Sequence, residues 1–105
     1  MMTESEFNDL IDQTFATLEY ALDEVVEDLD YEASGGVLTV TFDNGTSMVF
    51  SRQPPTRQLW LAARSGGFHF RFGEGAWRDT RTGEELFAAL SRILAAQAGE
   101  RVEFG

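Results

Sequence analysis

The 105-residue chain has no cysteine, no lysine and one histidine, and it has no basic residue of any kind before Arg52. Without cysteine it forms no disulfide and offers no thiolate to a metal or an iron–sulfur cluster, so any metal must be held by oxygen or imidazole. One histidine and no thiol leave no activated nucleophile pair, which argues against a catalytic triad. No apolar run approaches the roughly 18 residues that a membrane-spanning helix requires. The first residues, MMTESEFNDL, are acidic and polar. They have neither the basic start and apolar run of a secretory signal nor the arginine-rich character of a transit peptide, so a cytoplasmic location is expected.

What is present points to a folded protein. The hydrophobic share is 43%, with nine Phe and two Trp, more than a disordered chain carries. The length suits a single domain spanning residues 1–105. The net charge of −10 repels nucleic acid and anionic lipid and favours cations or basic proteins as partners. Eleven of the eighteen acids, Glu4 to Glu32, lie in the first third of the chain, whereas all eight basic residues are Arg placed from Arg52 to Arg101.

Thr3 and Glu6 have capping-box spacing. Phe7, Leu10, Ile11, Phe15, Leu18, Leu22, Val25, Val26 and Leu29 then recur at steps of three and four, the pattern of an amphipathic helix. On such a helix Glu19, Asp23 and Glu27 project away from the apolar stripe, with Asp12 and Asp30 on the same outer face. Ser34-Gly35-Gly36 is expected to break the helix. VLTVTF alternates like a half-buried strand, Asn44-Gly45 signals a type I′ hairpin, and SMVFSRQ returns. RQLWLAAR, a Gly66-Gly67 turn, FHFRF, a Gly73 to Gly75 turn and AWRDT continue the meander. Thr82 and Glu85 have the spacing of a second capping box. Leu86, Phe87, Leu90, Ile93 and Leu94 form an apolar face, Gly99 is a C′ candidate, and RVEF closes the chain. The expected fold is α+β: a sandwich with N- and C-terminal helices on one face of an antiparallel sheet of five to six strands, the other face left open.

The stretch LDEVVEDLDYE, residues 22–32, concentrates carboxylates without a counter-charge. The ordinary reading of such a run is a solvated helix face. Against it, like charges one turn apart each cost a helix about 0.2–0.5 kcal/mol, and acids near a helix C-terminus oppose its dipole. A penalty incurred twice suggests a use, and exposed carboxylates suit hard cations such as iron, calcium, magnesium or manganese, bound weakly on an open ridge. A calcium EF-hand starting at Asp28 fails, because Ala33 stands where Gly is needed and Thr39 where Glu is needed. Asn44-Gly45-Thr46 is formally a glycosylation sequon, but without a signal peptide the hairpin reading prevails. His69 alternates with Phe68 and Phe70 and so faces the opposite side of its strand. With Leu59 and Leu61 turned to the helices, Trp60 falls on the open sheet face with Gln53, Arg57 and His69 as candidate neighbours, a hot-spot composition. Trp77 fits the core or its rim.

GGVLTVTFDNGT, RQPPTRQLWLA, GGFHFRF and QAGERVEF, in this order and behind an acidic first helix, resemble bacterial frataxins of the CyaY type over essentially the whole chain. The resemblance implies an α-β sandwich and weak binding of ferrous and ferric iron on acids of the first helix and first strand edge. It also implies a non-enzymatic part in iron–sulfur cluster assembly, in which the ridge meets a basic surface of a cysteine desulfurase and modulates it beside the scaffold complex. Glu19, Asp23 and Glu24 match the family's iron-binding ridge by position, and Glu27, Asp28, Asp30 and Glu32 match in character. Tyr20 stands at a position that is often acidic. Gln53 and Trp60 match the partner-binding pattern, joined on the sheet by Arg57 and His69, whereas Ser51 stands where Asn is usual. A monomer is expected, with iron-dependent oligomers as a further state. Two other functions fit the residues: a ferroxidase or iron-storage protein, which lacks a Glu-x-x-His di-iron pattern here, and a scaffold that binds a basic protein with no role for metal.

Overall fold

The computed structural model describes residues 2–26 and 28–97. The elements run α1 (Glu4–Val25), β1 (Asp30–Ser34), β2 (Val37–Thr41), β3 (Ser47–Gln53), a 3₁₀ turn (Pro54–Thr56), β4 (Gln58–Ala63), β5 (Gly66–Gly73), β6 (Ala76–Asp79) and α2 (Leu86–Gln97). The six strands form one antiparallel sheet in chain order, and both helices pack on it. The expected sandwich is present, with one strand more than the five that the alternation marked.

That strand comes from the acidic stretch. Thr3 Oγ1 accepts from Glu6 N–H at 3.1 Å and Glu6 Oε1 accepts from Thr3 N–H at 2.9 Å, so the capping box starts α1 as expected. The apolar spacing continues to Leu29, but the helix stops at Val25, with Val26 in an extended conformation. Asp23 and Glu24 crowd a last turn that holds no basic residue, and two β-branched valines in succession weaken helix propensity there. Asp28 then takes a left-handed φ of 58°, a backbone no α-helix accommodates. Asp30 is therefore not on the outer helix face; it opens β1. Ser34-Gly35-Gly36 does not end a helix either. Gly35 (φ 60°) and Gly36 (φ 80°) form the two-residue loop between β1 and β2, the geometry of a type I′ turn.

Two other turns and one helix cap differ from expectation. Phe42 and Thr46 close a three-residue loop in which Gly45 alone has a positive φ, 86°. This is a type I turn followed by a left-handed glycine, not a type I′ turn at Asn44-Gly45. Gly66 and Gly67 belong to β5, and Arg64-Ser65 makes the turn before it. The Thr82–Glu85 capping box does not form: the Glu85 carboxylate caps α2 by accepting from Phe87 and Ala88 N–H, while Thr82 Oγ1 accepts from Glu84 N–H at 3.2 Å. Gly99 and RVEF lie outside the described residues.

Period-two alternation places the core. Leu38, Val40, Met48, Phe50, Leu59, Leu61 and Phe70 are buried on the helix side of the sheet. Against them pack Phe7, Ile11, Phe15, Leu18 and Leu22 of α1 and Leu86, Leu90, Ile93 and Leu94 of α2. Each fully buried side chain of this size stabilises by about 1.5–3 kcal/mol, so truncating Phe50 to Ala would cost about 3–5 kcal/mol. Trp77 joins this core, and its indole N–H donates to Thr14 Oγ1 at 3.0 Å, which satisfies both buried polar groups. Gln97 locks the end of α2 to two turns. Its side chain donates to Thr46 Oγ1 (3.1 Å) and Ser47 C=O (3.0 Å) and accepts from Arg64 N–H (3.1 Å).

An acidic edge and a stacked tryptophan as candidate functional surfaces

Asp12, Ala16, Glu19 and Asp23 are spaced four, three and four residues apart, so they form one row along α1. The row borders β1. Tyr31, on the helix side of β1, donates its hydroxyl to Glu19 C=O at 3.3 Å. Burial, with further contributions from Asp23 and Glu19, pushes the Tyr31 phenol up to about 12. Glu24, Asp28, Asp30 and Glu32 are exposed and Glu19 is half-buried. Asp30 pairs with Thr41 and Glu32 with Thr39, alternating with Tyr31 and Ala33. Their side chains thus lie on the open side of the sheet edge, while Glu19 and Asp23 lie on the helix side.

Of the candidate ligands, Glu19 and Asp23 thus lie on one side of the edge strand β1 and Asp30 and Glu32 on the other. Among the described residues no three His, Asp or Glu side chains converge into a set able to surround a metal ion. Such an edge can hold hard cations only loosely, with water completing their coordination, or face a basic protein surface. Glu27 lies outside the described residues. Among the described residues the ion pairs are Arg52–Asp12 (2.6 Å) and Arg92–Glu84 (2.8 Å), so Glu19, Asp23, Glu24, Asp28, Asp30 and Glu32 have no ionic partner. Asp12 does have one, and it does not belong with the uncompensated acids.

On the open sheet face, Ser51, Trp60 and His69 occupy one cross-strand row. The Trp60 and His69 rings stack at 4.2 Å with planes 9° apart. Trp60 is half-buried, and its indole N–H donates to Gln58 Oε1 at 2.7 Å, so the ring is held flat and ready for contact. Gln53 sits in the next row opposite Gln58, and its amide donates to Ser51 Oγ at 3.4 Å. Arg57 is placed differently from the expectation. It takes φ 53° at the end of the 3₁₀ turn, and its guanidinium donates to the carbonyls of Met2 (3.3 Å) and Pro54. It staples the N-terminus to that turn and does not join the Trp60 row.

Two residues at the acidic edge escaped the reading of the sequence. Arg52 shares the parity of the buried Met48 and Phe50 along SMVFSRQ, which already assigns it to the helix side, where a cation needs a partner. Tyr31 lies in DYEAS, whose alternation of polar and less polar residues was the available signal for β1.

No described helix is long and apolar enough to cross a membrane. The sequence model of the frataxin family, described as "Frataxin-like domain", matches residues 1–100. Among curated proteins, the chain is 48% identical over 102 residues to the "Iron-sulfur cluster assembly protein CyaY" of Paraburkholderia phymatum, covering 97% of each. It is 48% identical over 103 residues to the protein of the same name from Paraburkholderia phytofirmans, covering 98% of each. Among solved structures, frataxin from Psychromonas ingrahamii superposes with a TM-score of 0.88 at 38% identity, covering 99% of each chain. The trimeric frataxin of Saccharomyces cerevisiae, complexed with ferrous, gives a TM-score of 0.68 at 30% identity, covering 90% of this chain and 87% of that one.

Proposed function

The chain belongs to the frataxin family, and from that premise we propose that it is a cytoplasmic, non-enzymatic adaptor of iron–sulfur cluster assembly. It takes ferrous and ferric iron weakly, as cargo, on Glu19, Asp23, Glu24, Glu27, Asp28, Asp30 and Glu32. Through the same edge it docks on a basic surface of a cysteine desulfurase and modulates that enzyme, while Gln53, Trp60 and His69 face the scaffold complex. The observation that carries this reading is the set of exposed carboxylates on α1 and β1 that have no ionic partner among the described residues. The name shared by the two Paraburkholderia relatives supports the process, and the ferrous-bound yeast protein supports the ion. An open edge without convergent donors fits transient delivery better than storage. A mainly monomeric state follows from the self-repulsion of so acidic a chain, with iron-dependent oligomers when cations cancel it.

The test is the double charge reversal Asp23→Lys, Glu24→Lys. Ferrous binding and desulfurase binding should weaken together while the amide NMR spectrum stays native. Survival of both binding activities would refute the assignment. The trimeric state of the yeast protein favours a second reading, iron oxidation and storage in larger assemblies. Oxygen consumption on adding ferrous iron, accompanied by growth in particle size, would establish that reading in place of the adaptor.

A further inference from the structure

The first basic residue of the chain is not a solvated surface charge. The alternation of β3 puts Arg52 on the face that carries Met48 and Phe50, beneath α1. Its stem passes the β1–β2 turn at Gly36, where a Cβ would stand 3.0 Å from Arg52 Cγ and 3.1 Å from Cδ. Gly36 at φ 80° thus keeps the passage open, and Arg52 N–H donates to Gly36 C=O at 3.1 Å. The guanidinium arrives at α1, donating to Asp12 Oδ1 (2.6 Å) and Asn8 Oδ1 (3.1 Å) above the Phe15 ring, 5.5 Å from its centroid. Its Nε is buried without a hydrogen-bond partner among the described residues, a cost accepted in reaching this position. The Arg52 side chain is 20% exposed and that of Asp12 65%, so the cation is fixed and the carboxylate is the accessible member.

Asp12 occupies the same helical row as Glu19 and Asp23. Without Arg52 it would be the N-terminal member of the uncompensated carboxylates, bordering the groove of ≈ 330 Å³ that Glu19, Ala33 and Ser34 also line. We propose that Arg52 sets where the cation-binding edge begins. It acts as a built-in counter-cation that competes with metal ions or basic side chains for Asp12 and confines them to Glu19 and the acids beyond it. The inference rests on reading that edge as a cation-binding surface, and it adds a specificity-determining residue drawn from a strand that carries none of the proposed ligands.

The probe is Mn²⁺, a paramagnetic hard cation, added to the full-length nitrogen-labelled protein while amide line widths are followed. In the unmodified protein, broadening should centre on residues 19–32 and fall off along α1 towards Asn8, at about 1.5 Å per residue, so that Asp12 needs more Mn²⁺ than Asp23 to broaden. In Arg52→Gln, broadening should extend to Asp12 at about fivefold less Mn²⁺ than in the unmodified protein, on the scale of an ion pair that no longer has to be broken. Arg52→Lys, which keeps the charge, should restore much of the original boundary, and adding Asp12→Asn to Arg52→Gln should abolish the extension. Equal broadening at Asp12 and Asp23 in the unmodified protein overturns the inference without any variant. So does an unchanged footprint in a folded Arg52→Gln protein. Absence of broadening at residues 19–32, with Asp12 still gained in Arg52→Gln, would sink the edge reading and uphold only the competition of Arg52 for Asp12.

Discussion

Removing two charges from the end of α1 should make the protein more stable. Asp23 and Glu24 lie in a last turn with no basic residue, and Asp23 follows Glu19 by one turn. Asp23→Asn with Glu24→Gln removes one like-charge pair and two unfavourable interactions with the helix dipole, together about 1–2.5 kcal/mol at low ionic strength. For a domain of this size that corresponds to a rise in Tm of roughly 4–15 °C. Thermal unfolding followed by circular dichroism in dilute buffer measures it. Repeating the scans in about 1 M NaCl, where the Debye length falls to about 3 Å, should erase most of the gain. An unchanged or lower Tm in dilute buffer would refute the claim that this edge is kept against a stability cost, and with it the main physical argument for a functional role.

Two further outcomes follow from the packing and the charges. Gln97→Leu deprives Thr46, Ser47 and Arg64 of a shared buried partner, so urea unfolding should show a loss of about 2–4 kcal/mol with an unchanged m-value. The fold holds the Tyr31 phenol neutral, with its pKa raised from 10.0 to about 12. The associated stability is therefore complete below about pH 10 and is lost as pH rises towards about 12. In a Tyr20→Phe background, phenolate absorbance should report that late ionisation, and Asp23→Asn should move it to lower pH; an unmoved titration would mean that Asp23 does not act on Tyr31.

The parts of this fold that could be read from sequence are those where one periodicity dominates. The three- and four-residue steps from Phe7 to Leu22 and the alternation of VLTVTF, SMVFSRQ and QLWLAA fix α1, β2, β3 and β4 and turn Leu59 and Leu61 to the core. Periodicity misleads at Val25 to Ser34, because Val25, Val26 and Leu29 continue the helical spacing while valine branching and acidic crowding end the helix. Local spacing carries no information about that competition. Turn composition misleads for a related reason. Asn44-Gly45 has the composition of a type I′ turn, yet positive φ at both loop positions is found at Gly35-Gly36 and Glu74-Gly75, where strand register demands it.

The functional surfaces divide in the same way. Carboxylate density marked the edge, and the Trp60 row followed from alternation, but the stack of Trp60 on His69 depends on a pairing register between β4 and β5. The pairing of Arg52 with Asp12 spans 40 residues of sequence, and the diversion of Arg57 to Met2 depends on its left-handed backbone. Contacts of this kind arise from tertiary placement, and only the demand for a partner, as at Arg52 on an apolar face, is visible beforehand.

The most direct test of the acidic edge as an iron-linked surface is an anaerobic ferrous titration of the labelled protein followed by nitrogen–proton NMR, with magnesium as the control for charge screening. The account predicts broadening confined to Glu19 through Glu32 at iron concentrations far below those at which magnesium has any effect. Equal and diffuse responses to both ions would contradict it and leave the carboxylates as a docking surface for a basic protein alone.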